Sequence, residues 1–196
     1  MRDAPRRVVV TGAAGGSGGA AVAAFARAGA TVAAITHRTP LPSSLHDAGS
    51  VLEYRCDVGD PEAMREALEQ IATDIGGMDA LIHTAAVDRL VTATIGCNRA
   101  AFEHLRDSGG GSVVNVHGPS AVPAEVGQWM HAAALEWRMH QVRVNAIAPV
   151  TLTTAEEYRD PYEDLAPVLR FLAGDDSRSI TGQTLSVDGS WVRLRV

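Results

Sequence analysis

Val8-Val9-Val10-Thr11-Gly12-Ala13-Ala14-Gly15-Gly16-Ser17-Gly18-Gly19 decides the fold. Three β-branched residues lead into a turn almost bare of side chains, and an Ala-rich segment with helical spacing follows. This reads as strand, tight turn and helix start. Glycines let the backbone bend sharply and let a ligand come close, and the free amides and positive end of the helix attract phosphate. A dinucleotide is therefore the first candidate ligand. Two other readings stay open here. Glycine also builds ordinary strand-to-helix loops, and Gly15–Gly19 fits G-x-S-x-G, the turn that presents a nucleophilic serine.

Working outward, Val22, Phe25 and Ala26 share one face of the first helix, and Gly29 ends it. Thr31–Thr36 is a continuous apolar strand suited to a sheet covered on both faces, with His37 and Arg38 at its end. A carboxylate there would hold the adenosine ribose of a dinucleotide, whereas a cation suits a 2′-phosphate, so NADP(H) is favoured over NAD(H). Thr39–Ser50 is loop with a short helical turn, and Val51–Cys56 is the third strand. Asp60 caps a helix that has Pro61 at its first position and Ala63, Ala67, Leu68 and Ile71 inward, and Gly76-Gly77 stops it. Ala80–His83, Ser112–Val116, Val142–Ala146 and Thr184–Val187 complete the strands. Arg99–Leu105 reads as a helix end, Gly109–Gly111 as a turn, and Ala132–Met139 and Leu165–Leu172 as helices, with Pro149 halting the sixth strand. The alternation predicts an α/β, Rossmann-like doubly wound parallel sheet of about seven strands with helices on both faces, as one domain over residues 1–196.

Composition narrows the partners. The chain has 196 residues, 46% hydrophobic, with 17 basic and 23 acidic side chains and a net charge of −6. Every basic residue is arginine, and there is no lysine. Without a basic run, neither nucleic acid nor an anionic membrane is an expected partner, and a small-molecule ligand is. Cys56 and Cys97 stand without C-x-x-C or secretory framing, as buried thiols of a cytoplasmic protein. The apolar stretch after Arg6-Arg7 is too broken for an export signal, and no segment approaches a membrane span. The histidines His37, His46, His83, His104, His117, His131 and His140 show no ligand spacing, so no metal is expected. The arginine- and alanine-rich composition fits a bacterial specialised pathway.

Thr11-Gly12-x-x-x-Gly16-x-Gly18, Cys56-Asp57-Val58, Arg143–Pro149, Ile180-Thr181-Gly182-Gln183 and Val187-Asp188-Gly189 with Trp191, in that order, resemble the short-chain dehydrogenase/reductase family over almost the whole chain. The resemblance implies that Thr11, Gly12, Gly16, Gly18, Asp57, Val58, Ala85 and Thr154 line the cofactor, together with His37 and Arg38. It also implies that Ser17 is a filler of the turn rather than a hydrolase nucleophile.

The active site departs from that family. Its Ser, Tyr and Lys, with a supporting Asn, have no counterparts: lysine is absent, and Tyr54, Tyr158 and Tyr162 all lie off the segment before Ala132 where the Tyr/Lys pair belongs. Gly118 stands where the serine would be, with Ser120 close by; His83-Thr84-Ala85-Ala86 replaces Asn-Asn-Ala-Gly, and about Leu90 replaces the Asn. Regions Ala86–Arg99 and Gly118–Ala132 are short, and so is the loop after Thr154, which opens the cleft and shortens the helices through which family members pair, leaving homo-oligomer formation open.

His83 and His117 end adjacent strands at the carboxyl edge, where open sheets bind ligands. Two imidazoles there could move protons, and Ser120, His131 and Glu125 could reach the same cleft; the plainer reading is that the histidines cap strands and the others are solvated. Trp129 and Trp137 are read as core or partner-facing aromatics. The leading functional expectation is a non-redox catalyst of small-molecule metabolism, such as a cyclase, isomerase or dehydratase, through His83, His117 and Ser120. The alternatives are a non-catalytic assembly partner and an NADP(H)-dependent oxidoreductase with a substitute proton donor.

Overall fold

The computed structural model describes residues 7–46, 50–84, 90–117, 122–149 and 165–187. Seven parallel strands form one sheet: β1 (Arg7–Thr11), β2 (Thr31–Thr36), β3 (Val51–Arg55), β4 (Ala80–His83), β5 (Gly111–Val116), β6 (Val142–Pro149) and β7 (Thr184–Val187), in the order β3-β2-β1-β4-β5-β6-β7. The order reverses between β1 and β4, so the crevice at a topological switch point opens beyond the carboxyl ends of these two strands.

Helices cover both faces, as the unbroken apolar strands require. Val9, Leu81 and Val113 point into the layer shared with α3 (Pro61–Ile75), α4 (Leu90–Asp107) and α5 (Ala124–Trp137). Val8, Val10, Ile82 and Val114 point into the opposite layer, with α1 (Gly16–Arg27) and α6 (Leu165–Ala173). Val22, Phe25 and Ala26 are buried on α1, and the turn after it brings Gly29 to φ +82°. The short helix α2 (Ser43–His46) is the helical turn expected in the second loop. Asp60 caps α3 by accepting hydrogen bonds from the Glu62 and Ala63 amides at 3.0 and 3.2 Å, and Gly76 ends it at φ +78°.

Three boundaries differ from the sequence reading by more than two residues. β6 continues through Pro149. Proline can sit there because the extended backbone suits it and it is the last residue of the strand. Helix α5 begins at Ala124, eight residues before the expected Ala132, so the start of that helix is present. Pro123 precedes its first turn, and Val126, Met130, Ala133, Ala134 and Trp137 form one buried stripe at helical spacing. Helix α4 is 18 residues long, of which Arg99–Leu105 is only the latter half. Its inner face carries Ala93, Thr94, Cys97, Asn98, Ala101 and Leu105. Two polar residues and two alanines in that stripe hide the apolar period from a sequence reading.

Candidate functional site

The glycine turn is built as a phosphate cradle. Gly12 has φ +66°, and its carbonyl accepts the Gly15 amide at 2.9 Å, closing the turn. Gly15 is the extended N-cap of α1, and no side chain caps the helix, so its first amides are left without a side-chain partner. Gly18 is required by close approach: a Cβ there would sit 2.7 Å from the Gly12 carbonyl carbon and 2.9 Å from the Ala13 Cα. Gly16, two residues earlier, is exposed. A bare, uncapped helix start pressed this tightly on the strand fits a pyrophosphate. Ser17 lies in the first turn of α1, and among the described residues no histidine bonds its hydroxyl.

At the other end of such a ligand, His37 and Arg38 are exposed just beyond β2. His37 Nδ1 is 3.9 Å from Asp57 Oδ1, which also accepts the Gly59 amide at 2.9 Å. Among the described residues Arg38 has no ion-pair partner. The nearby Glu53 is not a ribose acceptor: its carboxylate takes hydrogen bonds from the Thr36 hydroxyl (2.6 Å) and the Leu41 amide (3.0 Å), which hold it below the usual carboxylate range. Val58 is buried in the core with Met64 and Leu68 of α3.

The carboxyl end of the sheet carries a polar row. Thr11 is in register with His83, and His83 with Asn115, and by alternation all three point into the layer under α4 and α5. His83 Nδ1 shares a 2.8 Å hydrogen bond with the Thr11 hydroxyl, and its Nε2 lies 3.4 Å from the Thr94 hydroxyl on α4. Burial, with a smaller contribution from His117, lowers the His83 pKa to about 4. Of the two readings left open for His83, proton carrier or strand cap, the contacts are those of the latter: a buried imidazole held between two hydroxyls. The Thr11 hydroxyl is likewise committed to the interior, although its carbonyl anchors Thr84.

His117 differs from its neighbour. It is the first residue beyond β5, its amide bonds the Ile147 carbonyl at 3.0 Å, and among the described residues both ring nitrogens are without a partner. Burial lowers its pKa as well. Among the described residues Asn98, one helical turn beyond Thr94, has both amide atoms unpartnered, and Asn115 keeps a free Oδ1 while its Nδ2 reaches Met130 Sδ at 3.7 Å. Asn98, Thr94 and Asn115 escaped the sequence reading. The signal available was the i, i+4 pair Thr94/Asn98 on a helix face otherwise made of small apolar residues.

The remaining candidates do not join this group among the described residues. His131 is exposed, its ring bonded to the Gly127 carbonyl of its own helix at 2.8 Å, and Glu125 is exposed in the first turn of α5. Trp137 is buried, stacked on Phe102 at 4.7 Å and edge-on to Trp129 at 5.5 Å, as core aromatics. Cys56 and Cys97 are buried free thiols, with burial raising the Cys56 pKa to about 11 and the Cys97 pKa further. Ser120, Ala85 and Thr154 lie outside the described residues. No helix among the described residues is long and apolar enough to cross a membrane.

A phosphate cradle at the switch point of a doubly wound parallel sheet defines a dinucleotide-type α/β protein. The short chain dehydrogenase family model matches residues 6–161, and the chain belongs to that family. Among its relatives, D-threitol dehydrogenase of Mycolicibacterium smegmatis is 27% identical, with 93% of this chain and 91% of that protein covered. The 3-oxoacyl-[acyl-carrier-protein] reductase FabG of Thermotoga maritima is 28% identical, with 98% and 100% covered. The aligned spans, 237 and 245 positions, exceed the 196 residues of this chain, so both relatives carry segments it lacks. A solved short-chain type dehydrogenase/reductase from Mycobacterium marinum superposes with a TM-score of 0.83 at 25% identity, covering 96% of this chain and 95% of that one. An NADH-dependent reductase solved in complex with NAD shares the fold at a TM-score of 0.79 and 22% identity, covering 94% and 95%.

Proposed function

We propose that this chain is an NADP(H)-dependent oxidoreductase interconverting an alcohol and a carbonyl on a small molecule, with His117 as the group that handles the proton on oxygen. The observation that carries the reading is the cradle: Gly18 is pressed so closely on the Gly12–Ala13 backbone that any side chain is excluded, and the uncapped start of α1 sits beside it. The oxidoreductase names of the relatives support the reaction class, and the D-threitol enzyme supports a hydroxylated substrate.

The α1 amides and Gly16 hold the pyrophosphate, and Arg38 and His37 receive the 2′-phosphate. The chemistry that a bound nicotinamide supplies is uptake or release of a hydride. His117 accepts the hydroxyl proton while the carbon gives up its hydride, and returns it in the reverse direction. An imidazole held neutral at pH 7 is suited to the accepting role, and a positioned base or acid of this kind contributes about 10²- to 10⁴-fold in rate. His83 stays a silent neighbour because its two nitrogens are occupied. The two-histidine non-redox catalyst expected from the sequence loses its second group for that reason.

The test is NADP⁺ reduction at 340 nm with D-threitol and a panel of secondary alcohols. Wild type should turn over at least one of them, and His117→Ala should lower kcat about 10²-fold or more with NADPH affinity unchanged. Full activity in His117→Ala would remove the assignment.

A further inference from the structure

A second cleft, about 700 Å³, opens at the amino edge of the sheet, the end remote from the glycine cradle. Its walls come from the turn before β5, the segment joining α5 to β6 and the segment after α6. Its size is within the range of small-molecule sites.

The charge of this cleft runs against that of the chain. In a protein of net charge −6, Arg138, Arg143 and Arg178 line it together with Asp79 and Asp175. Asp79 is already matched, through two contacts with the guanidinium of Arg7 at 2.7 and 3.2 Å. Arg143 is a wall: its guanidinium donates to the carbonyls of Leu172 (2.8 Å) and Gly174 (2.9 Å) and to the Ser177 hydroxyl (2.7 Å), and Asp175 is the charge that offsets its burial. Arg138 and Arg178 are exposed at the rim and have no ion-pair partner among the described residues. Gln141 adds a neutral amide donor to the lining from a left-handed backbone (φ +58°), the one non-glycine residue with positive φ among the described residues. That backbone is the left-handed cap of the short helical turn Arg138–His140, its amide bonding the Arg138 carbonyl at 3.1 Å, and it brings the Gln141 side chain to the cleft wall.

We propose that this amino-edge cleft binds a small polyanion bearing phosphate or carboxylate groups, with Arg138 and Arg178 as its charge contacts and Gln141 as a neutral donor. Guanidinium forks match such oxyanions in a bidentate way, and two of them facing one cleft favour a dianion or larger over a single chloride. The site lies at the opposite edge of the sheet from the dinucleotide cradle, so it would act alongside the proposed chemistry as a second ligand site.

Inorganic pyrophosphate is the probe, followed by thermal unfolding of the full chain at ionic strength matched with sodium chloride. Wild type should gain about 3 °C or more at saturating pyrophosphate. The double variant Arg138→Ala/Arg178→Ala, whose side chains are exposed, should keep its own Tm and lose that gain. Because the α1 cradle also attracts phosphate, the Gly16→Asp variant, which places a carboxylate there, should retain the gain. No gain in wild type, a gain retained in the double arginine variant, or a gain abolished by Gly16→Asp would each overturn the proposal.

Discussion

His83 shows how much one buried residue sets. With its pKa lowered to about 4 against about 6.5 in the unfolded chain, the unfolded state binds the extra proton between those values. Stability is therefore complete above about pH 6.5, declines as pH falls toward 4, and loses nothing further from this group below that, about 3 kcal/mol in all. Urea unfolding of wild type at pH 7 and pH 4.5 should show the loss, and His83→Gln, with no titrating ring, should flatten it. Among the described residues the nitrogens of His117 have no partner, so His117→Ala breaks no hydrogen bond there and should cost only the cavity left by a buried ring, about 1–3 kcal/mol, while lowering turnover. Calorimetry beside kinetics separates these effects. The sequence placed both histidines at adjacent strand ends but could not distinguish them. Their difference rests on contacts over long sequence separation: Thr11 to His83 spans 72 residues, and the Thr94 contact depends on how α4 seats.

Local rules made most elements legible, and they failed where packing overrode them. Asp60-Pro61 and Gly76-Gly77 mark the ends of α3 in the sequence alone, because a cap oxygen and a left-handed glycine are local chemistry. Asp60→Ala should cost about 1 kcal/mol in chemical denaturation, with the fold unchanged. The helix α4 reads as a fragment because its buried stripe uses alanine, threonine and asparagine, which carry little apolar signal, and α5 because Gly127 and exposed polar residues interrupt its first turns. They are helices because the sheet beneath them supplies an apolar surface, a tertiary effect invisible to a short window. Gly18 lies at the other extreme: its reason is a steric contact between α1 and the end of β1 that the spacing of the turn already implied. Gly18→Ala should lower stability by about 1–3 kcal/mol and weaken dinucleotide binding together, since the same backbone shift disturbs both. Thermal unfolding and ligand titration of that one variant check the linkage.

At the scale of the whole molecule, the strand order and the two covered faces followed from alternation and apolar runs, and the family was legible from ordered motifs spread along the chain. The chemistry was harder to read, because it depends on which groups remain when the usual ones are gone. A lysine-free chain shorter than its aligned relatives keeps the cradle, the cation beyond β2 and one unpaired imidazole at the carboxyl edge. The function proposed above rests on these groups: His117 handles the proton, and Arg38 is the residue that would favour NADP(H) over NAD(H). The most direct measurement is a fluorescence titration of the purified protein with NADPH and with NADH, repeated on Arg38→Asp. The account predicts saturable NADPH binding in wild type, weaker NADH binding, and a reversed preference in the variant; no saturable binding of either dinucleotide would contradict it.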